Sequence, residues 1–508
     1  MKGACPEEVS RGFARGATHA TYQCDEARPE CERCTSTGRK CDGFSPVFHW
    51  KMYKVSTTAT VPSPSRGFCH TEEARALHFF QLGVAPWLSG PYPSSFWTHT
   101  IMQIGTHEPA IRRSVVAISL LYEDFIGNGR LMPQLRHNMT ALRHYNAAIH
   151  ELKDLTDAHL ILLACLLFIC IELMQGSESK ALSHLEAGLR IIRATPGLRP
   201  WVRDTLLPLY QRQSILLLKF GRRDEVDALA RPIHVDADFS TLEDARVITD
   251  ELYLQIFQLA ADGAEYRHGR LRHQPVHPDL TAKQHELHCV TQRFRDKVVP
   301  LGTYCSQSYD HRLMYLGSLV TLDLCQIGLM TAFETSEMRF DQFIPSYRHI
   351  VAHMEEIGAS MIRRNGGSPD RPVFQLETGY LTNILAVILK CRHLPTRLQA
   401  YSLLRQYGST RQGLWETDKM CSICKRVIEI EHDISWDGLE TPMEIGRWNE
   451  WPKKEARVCH IIQDYKANLD AGESHSLYPL MFIMRDGQGQ VYYLDDAATV
   501  NLNAERGR

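Results

Sequence analysis

Four cysteines within eighteen residues, Cys24, Cys31, Cys34 and Cys41, form the pattern C-x6-C-x2-C-x6-C. The chain has 15 cysteines in 508 residues, so this density is local and does not follow from composition. Thiolates are soft ligands that suit tetrahedral zinc, and the short bite between Cys31 and Cys34 lets close neighbours reach one ion. Pro29 and Gly38 fall in the two longer intervals, where a chain wrapping a metal must turn. The expected chemistry is one zinc held by all four thiolates, with His19 and Cys5 as poor substitutes.

Two other groups have ligand-type side chains but the wrong spacing. Cys421 and Cys424 form a second C-x2-C with no second pair nearby, on a stretch of helical period. His268, His273, His277, His285, His288 and Cys289 cluster in sequence, and Gln284-His-Glu-Leu-His288 superficially looks like a metalloprotease helix. That chemistry needs histidines four apart, and here they are three apart, so the expectation is a polar helix face. No phosphate loop, G-x-S-x-G elbow or dinucleotide fingerprint is present, and an enzyme is not expected.

Composition sets the frame for these residues. At 44% hydrophobic and 23% charged the chain buries large cores, and its formal net charge of -2 provides no global basic field for nucleic acid. Residues 1 to 44 hold seven Lys or Arg against seven Asp or Glu, so even the cysteine module is locally neutral. Cys165, Cys170, Cys325 and Cys391 stand singly in apolar surroundings, as buried thiols of a reducing compartment do. Glu7 and Glu8 and the lack of an apolar core near Met1 make secretion unexpected. The longest apolar run, Leu160 to Ile171, is too short for a bilayer span of about 18 to 20 residues and is expected to be a buried core helix, with no membrane partner.

Residues 45 to 72, with Ser-Thr-Thr-Ala-Thr-Val-Pro-Ser-Pro-Ser at 56 to 65, have the composition of a flexible linker. From residue 73 the apolar period is helical. Helices are expected at 73–85, 94–104, 109–125, 156–175, 179–194, 202–220, 246–261, 279–298, 311–333, 341–363, 373–392, 396–407 and 417–431, with 156–175 and 179–194 as an antiparallel pair. Near the end the period changes, and Leu480 to Met484 and Val491 to Leu494 around Asp486-Gly-Gln-Gly489 predict a hairpin. The expected fold is therefore mostly α, with a small cysteine module at 1–44, a linker at 45–72 and a large helical domain at 73–508.

The cysteine segment resembles the C-terminal two-thirds of the DNA-binding domain of fungal zinc-binuclear-cluster transcription factors. In that family C-x2-C, a basic stretch, C-x6-C, a loop and C-x2-C-x6-C hold two zinc ions. Cys24, Cys31, Cys34 and Cys41 match its third to sixth cysteines, and Asp25 and Pro29 also fall in place. The first pair has no counterpart: upstream stands Cys5, and Gly12 to Gln23 carries a single arginine, Arg15. The resemblance implies a bridging role for Cys31, and two metals sharing four thiolates are under-coordinated. It also implies phosphate contacts from Arg28, Arg33, Arg39 and Lys40, while the base-reading residues are not carried over. A truncated remnant or a wrongly assigned first exon is the expected cause of this start.

The helical region resembles the regulatory domain of the same factors, through Ala76-Leu-His-Phe-Phe80, Phe96-Trp97, Glu108 to Arg113, Ala164 to Phe168, Glu172, Gln175-Gly176, His184, Lys390-Cys-Arg392, Arg397, Gly413-Leu-Trp415 and Ile428-Glu-Ile-Glu431. The function this implies is a nuclear, zinc-dependent DNA-binding transcription regulator. Its helical domain would contact protein partners or a second copy. The alternative is a DNA-blind helical interaction protein lacking its reader.

The zinc reading predicts at most one zinc per chain by elemental analysis, lost on Cys31→Ser. Because thiolates must shed protons to bind, affinity falls as pH drops. Two tightly held zinc ions per chain would contradict it.

Overall fold

The computed structural model describes residues 66–90, 94–127, 132–219, 241–303, 309–364, 373–377, 379–436, 451–463 and 476–500, together with Val226, Leu229, Ile233 and Val235. The cysteine module expected at 1–44 lies outside the described residues, as does most of the expected linker.

The first half is a set of helices around one apolar rod. Helix α1 (Arg66–Phe79) opens within the stretch read as linker and passes through a π turn, Phe80–Val84, into α2 (Ala85–Leu88). A second π turn, Phe96–Thr100, leads into α3 (Ile101–His107), followed by α4 (Pro109–Gly127), α5 (Met139–Leu152), α6 (Ala158–Met174) and α7 (Glu178–Ala194). A third, Val202–Leu206, leads into α8 (Leu207–Lys219). Helix α6 is the rod: every residue from Leu162 to Met174 is buried. A helix apolar on all sides must be enclosed on all sides, and α4 and α7 pack against it, the latter as the expected antiparallel partner. Asp157 caps it, its carboxylate accepting the His159 amide at 2.9 Å. Tyr210 of α8 seats its ring over Gly188 of α7, where a Cβ would come within 2.3 Å of it, and its hydroxyl donates to the Leu162 carbonyl at 2.8 Å.

Helix α5 is absent from the sequence expectation. Asn138 caps it through the Ala141 amide at 2.8 Å, and Leu142, Tyr145, Ile149 and Leu152 form its buried stripe. That period was present in the sequence; no Pro or Gly marked the start.

The second half is built from α9 (Leu242–Arg267), α10 (Pro278–Val298), α11 (Tyr309–Thr331), α12 (Ile344–Arg364), α13 (Tyr380–Lys390), α14 (Leu394–Tyr407) and α15 (Thr417–His432). Residues 310–331 of α11 are long and apolar enough to cross a membrane by length and composition. Here Leu313, Leu316, Val320, Leu322 and Leu329 are core residues, and Asp323 receives Arg295 at 2.7 Å, so the helix works as a core element.

Two small sheets complete the described fold. Strands β1 (Phe374–Gln375), β2 (Arg411–Gln412) and β3 (Trp415–Glu416) lie in that order, β1 parallel to β2 and β2 antiparallel to β3. The expected helix over 373–392 is therefore wrong at its start: Phe374–Gln375 is a strand, 376–377 a bend, and α13 begins at Tyr380. The backbone of Val373 and Gln375 is needed by β2, their carbonyls accepting the Arg411 amide at 2.9 Å and the Gly413 amide at 2.8 Å. The second sheet has the order β4 (His460–Gln463), β5 (Ser476–Arg485), β6 (Val491–Val500), all antiparallel. The expected hairpin is present as β5 and β6, with Gly489 at φ +81° in its turn and the Asp486 carboxylate accepting the Gln488 and Gln490 amides. Strand β4 was not foreseen.

Gly263 is where α9 meets the end of α11: a Cβ there would lie 1.9 Å from the Ala332 carbonyl oxygen. Gly263→Ala is expected to destabilise by roughly 1–3 kcal/mol, the usual cost of overpacking. Gly127→Ala, with nothing within 4 Å, serves as the neutral control. Thermal unfolding followed by circular dichroism compares them, and equal melting temperatures would refute the close approach.

Candidate functional site

The proposed zinc ligands Cys24, Cys31, Cys34 and Cys41, and the phosphate-contact candidates Arg28, Arg33, Arg39 and Lys40, lie outside the described residues. Within those residues, no group of three or more His, Cys, Asp or Glu side chains is placed to hold a metal. Cys424 is buried in the core face of α15 and Cys421 is half-buried beside it. The histidine cluster disperses. His277 caps α10, its Nδ1 accepting the Asp279 amide at 3.3 Å; His285 and Cys289 sit exposed on α10, 3.7 Å apart; His268 leaves the group to stack on His460 with ring centroids 5.8 Å apart.

The chemistry-bearing residues that do converge are buried ions. The first cluster surrounds Glu377, just after β1. Its carboxylate accepts from the Trp97 indole at 3.0 Å, Arg212 at 2.7 Å and Arg246 at 3.1 Å, and its amide donates to the Leu88 carbonyl at 3.1 Å. Asp250 pairs with the other arm of Arg212. Around it, Gln213 donates to the Leu376 carbonyl at 3.0 Å, and the Tyr122 hydroxyl exchanges hydrogen bonds with the backbone of Phe374. Gln412 completes the group, donating to the Gln375 side chain at 2.9 Å and accepting the Leu381 amide. The five residues 373–377 therefore act as a strap whose polar atoms are satisfied by α2, α4, α8, α9 and β2.

The second cluster closes the C-terminal end. Glu431 of α15 is buried with Arg392 at 3.3 Å, Arg397 at 2.5 Å and the Val458 amide donating to it at 2.8 Å. Arg392, fully buried, also donates to Glu337 and to the Val458 carbonyl, each at 2.8 Å. Lys390 reaches Glu337 at 3.1 Å and the Cys459 carbonyl at 2.8 Å, and Arg457 grips Asp341 with both nitrogens at 2.7 and 2.9 Å. Burial would raise the Glu431 carboxyl, but Arg392 and Arg397 more than offset it and hold it below the usual carboxylate range. Burial pulls the Lys390 ammonium down, with Glu337 opposing.

A third group is lodged inside the first half. The Tyr145 hydroxyl donates to Glu172 at 2.8 Å and stands 3.4 Å from His184, while Gln175 accepts the Leu135 amide at 3.0 Å. Burial lowers His184 to about 4, so this imidazole is neutral near pH 7. Trp97, Glu172, Gln175, His184, Arg392, Arg397 and Glu431 carried the resemblance in sequence, and all sit in these buried polar contacts. Their partners Glu377, Arg212, Arg246, Glu337 and Arg457 carried no sequence signal, because each pairing spans distant parts of the chain.

Residues 75–220 match the fungal specific transcription factor domain family. A 264-residue stretch is 29% identical to the aspercryptin biosynthesis cluster-specific transcription regulator atnN of Emericella nidulans. That match covers 45% of this chain and 42% of the regulator's length. No solved structure matches. The matched span runs from α1 through α8 and contains Trp97 and Arg212, two of the anchors that grip the strap.

Removing one partner of a buried pair leaves an unpaired charge, at a cost of about 3–5 kcal/mol. Glu431→Leu is therefore expected to lower stability by about that amount, and adding Arg397→Met to restore part of it. The Glu431 carboxyl is lower in the folded protein than in the unfolded chain, so its contribution is present above about pH 4.3 and lost as pH falls through its folded value. Denaturant melts from pH 7 to pH 3 read both effects; strictly additive losses in the double variant would refute the coupling.

Proposed function

We propose that this protein is a fungal transcription regulator of RNA polymerase II genes, acting in the nucleus, whose described helices form the regulatory body. The observation that carries this reading is the match of residues 75–220 to the fungal specific transcription factor domain, with a zinc-type cysteine pattern ahead of it in the same chain. Cys24, Cys31, Cys34 and Cys41 would hold zinc, and Arg28, Arg33, Arg39 and Lys40 would meet DNA phosphate. The relative's name supports a role at the genes of a biosynthesis cluster. Both names point to a regulator rather than an enzyme.

In this reading the helical body acts as a frame. Its buried ion clusters fix the relative positions of helices and strap, giving a stiff frame through which contact with a protein partner or a second copy is transmitted. A second reading, a DNA-blind interaction protein, is favoured by one observation: the neutral charge balance of residues 1 to 44, since a major-groove reader needs a positive face.

The two readings separate on DNA. Phosphate contacts position a protein while base-edge contacts specify a site, and this chain has candidates for the first task alone. Residues 1 to 72 are expected to bind duplex DNA weakly, with little preference for CGG triplets and a steep loss on added salt. Adding a C-x2-C and basic segment ahead of Cys24 is expected to create preference. Selection of one sequence from a random pool by the unaltered chain at physiological salt would refute this account.

A further inference from the structure

The end of α9 and the second sheet bring together cations that outnumber the carboxylate facing them. Arg485, at the end of β5, donates to the carbonyl of Arg267 and, at 2.9 Å, to that of Gly489. Cys459 pairs with β5 through Ile483 and accepts Lys390, and the next residue, His460, stacks on His268. Arg267, Lys390 and Arg485, with His268 and His460, therefore gather around one short segment. Among the described residues the carboxylate that faces them is Glu337, already shared by Lys390 and Arg392.

Two nitrogens there lack a partner. The Arg485 Nε and His268 Nδ1 are shielded from solvent and make no hydrogen bond. Shielded nitrogens without a hydrogen bond also occur at Arg295, Arg392, Arg457, His144 and His353; what sets Arg485 and His268 apart is that they stand together beside Arg267 and Lys390. His268 is held neutral, pushed down to about 2 by burial first and then by Arg267, Lys390, His460 and Arg485. The cluster is half-buried, with His460 exposed at its edge.

We propose that Arg485, His268 and Lys390, with Arg267 and His460 around them, form a binding site for a small anion, the phosphate or carboxylate group of a metabolite. The anion accepts from Arg485 Nε and His268 Nδ1 and from the remaining Lys390 hydrogen, as charge-assisted bonds that supply the absent negative charge. Because Arg485 ties β5 to the end of α9 and Lys390 ties α13 to the segment before β4, occupancy locks the second sheet onto the helical body. That makes it a route for a metabolite to act on the regulator.

The test uses the full-length chain. Inorganic phosphate, and separately succinate, are titrated while the melting temperature and binding heat are followed, against chloride at matched ionic strength. The expected result is a saturable rise with phosphate, succinate or both, which also tells phosphate from carboxylate ligands, and none with chloride. Arg485→Gln and His268→Gln are each expected to weaken half-saturation about tenfold or more, as for a lost hydrogen bond to a charged group. Arg199→Gln, at an exposed pair elsewhere, should leave it unchanged. If Arg485→Gln does not fold, His268→Gln, which removes no hydrogen bond present in the structure, carries the test. A rise that chloride reproduces, or one of equal affinity in wild type and His268→Gln, would overturn the proposal.

Discussion

The fold depends on Glu377 being buried as a charge. A carboxylate taken out of water without compensation costs several kcal/mol, and this one is compensated from three sides by Trp97, Arg212 and Arg246. None of those residues is near it in sequence, so the carboxylate is satisfied only when the helices that carry them are already together. The strap thus reports on the assembly of the whole body. It also explains why 373–377 is not helical: an α-helix there would withdraw the backbone groups that Leu88, Tyr122, Gln213, Arg411 and Gly413 use.

The Glu431 cluster applies the same constraint at the other end. Arg392 and Arg397 leave α13 and enter α14 with their guanidinium groups buried, and α15 and the segment before β4 supply what they need. Buried ion pairs contribute little net stability over apolar packing, but they penalise wrong arrangements heavily. Among helices that bury apolar faces, such pairs help select one arrangement.

Helix α6 supplies the complementary term. Its thirteen consecutive buried residues remove apolar area from water without favouring any particular rotation about its axis. Orientation comes from the polar insertions, Glu172 with Tyr145 and the Tyr210 hydroxyl on the Leu162 carbonyl. Apolar burial drives the collapse, and these few polar contacts choose the register.

The sequence by itself determined the helical class, the buried rod, most helix positions and the terminal hairpin, because a 3.6-residue apolar period and the turn at Asp486 to Gly489 are local properties. It also carries the spacing of Cys24, Cys31, Cys34 and Cys41, whose reading as zinc ligands falls outside the described residues. It did not determine helix α5, whose period is real but whose start at Asn138 lacks Pro or Gly punctuation, nor strand β4, which is short and pairs with residues about twenty positions away. Only the tertiary structure decided that 373–377 is a strap, that Arg392 and Arg397 meet on Glu431, and that His268 leaves the other histidines to join His460 and Arg485. Those outcomes rest on electrostatic and hydrogen-bond partners brought from distant parts of the chain, and the cost of a buried unpaired charge exists only once the fold has excluded water.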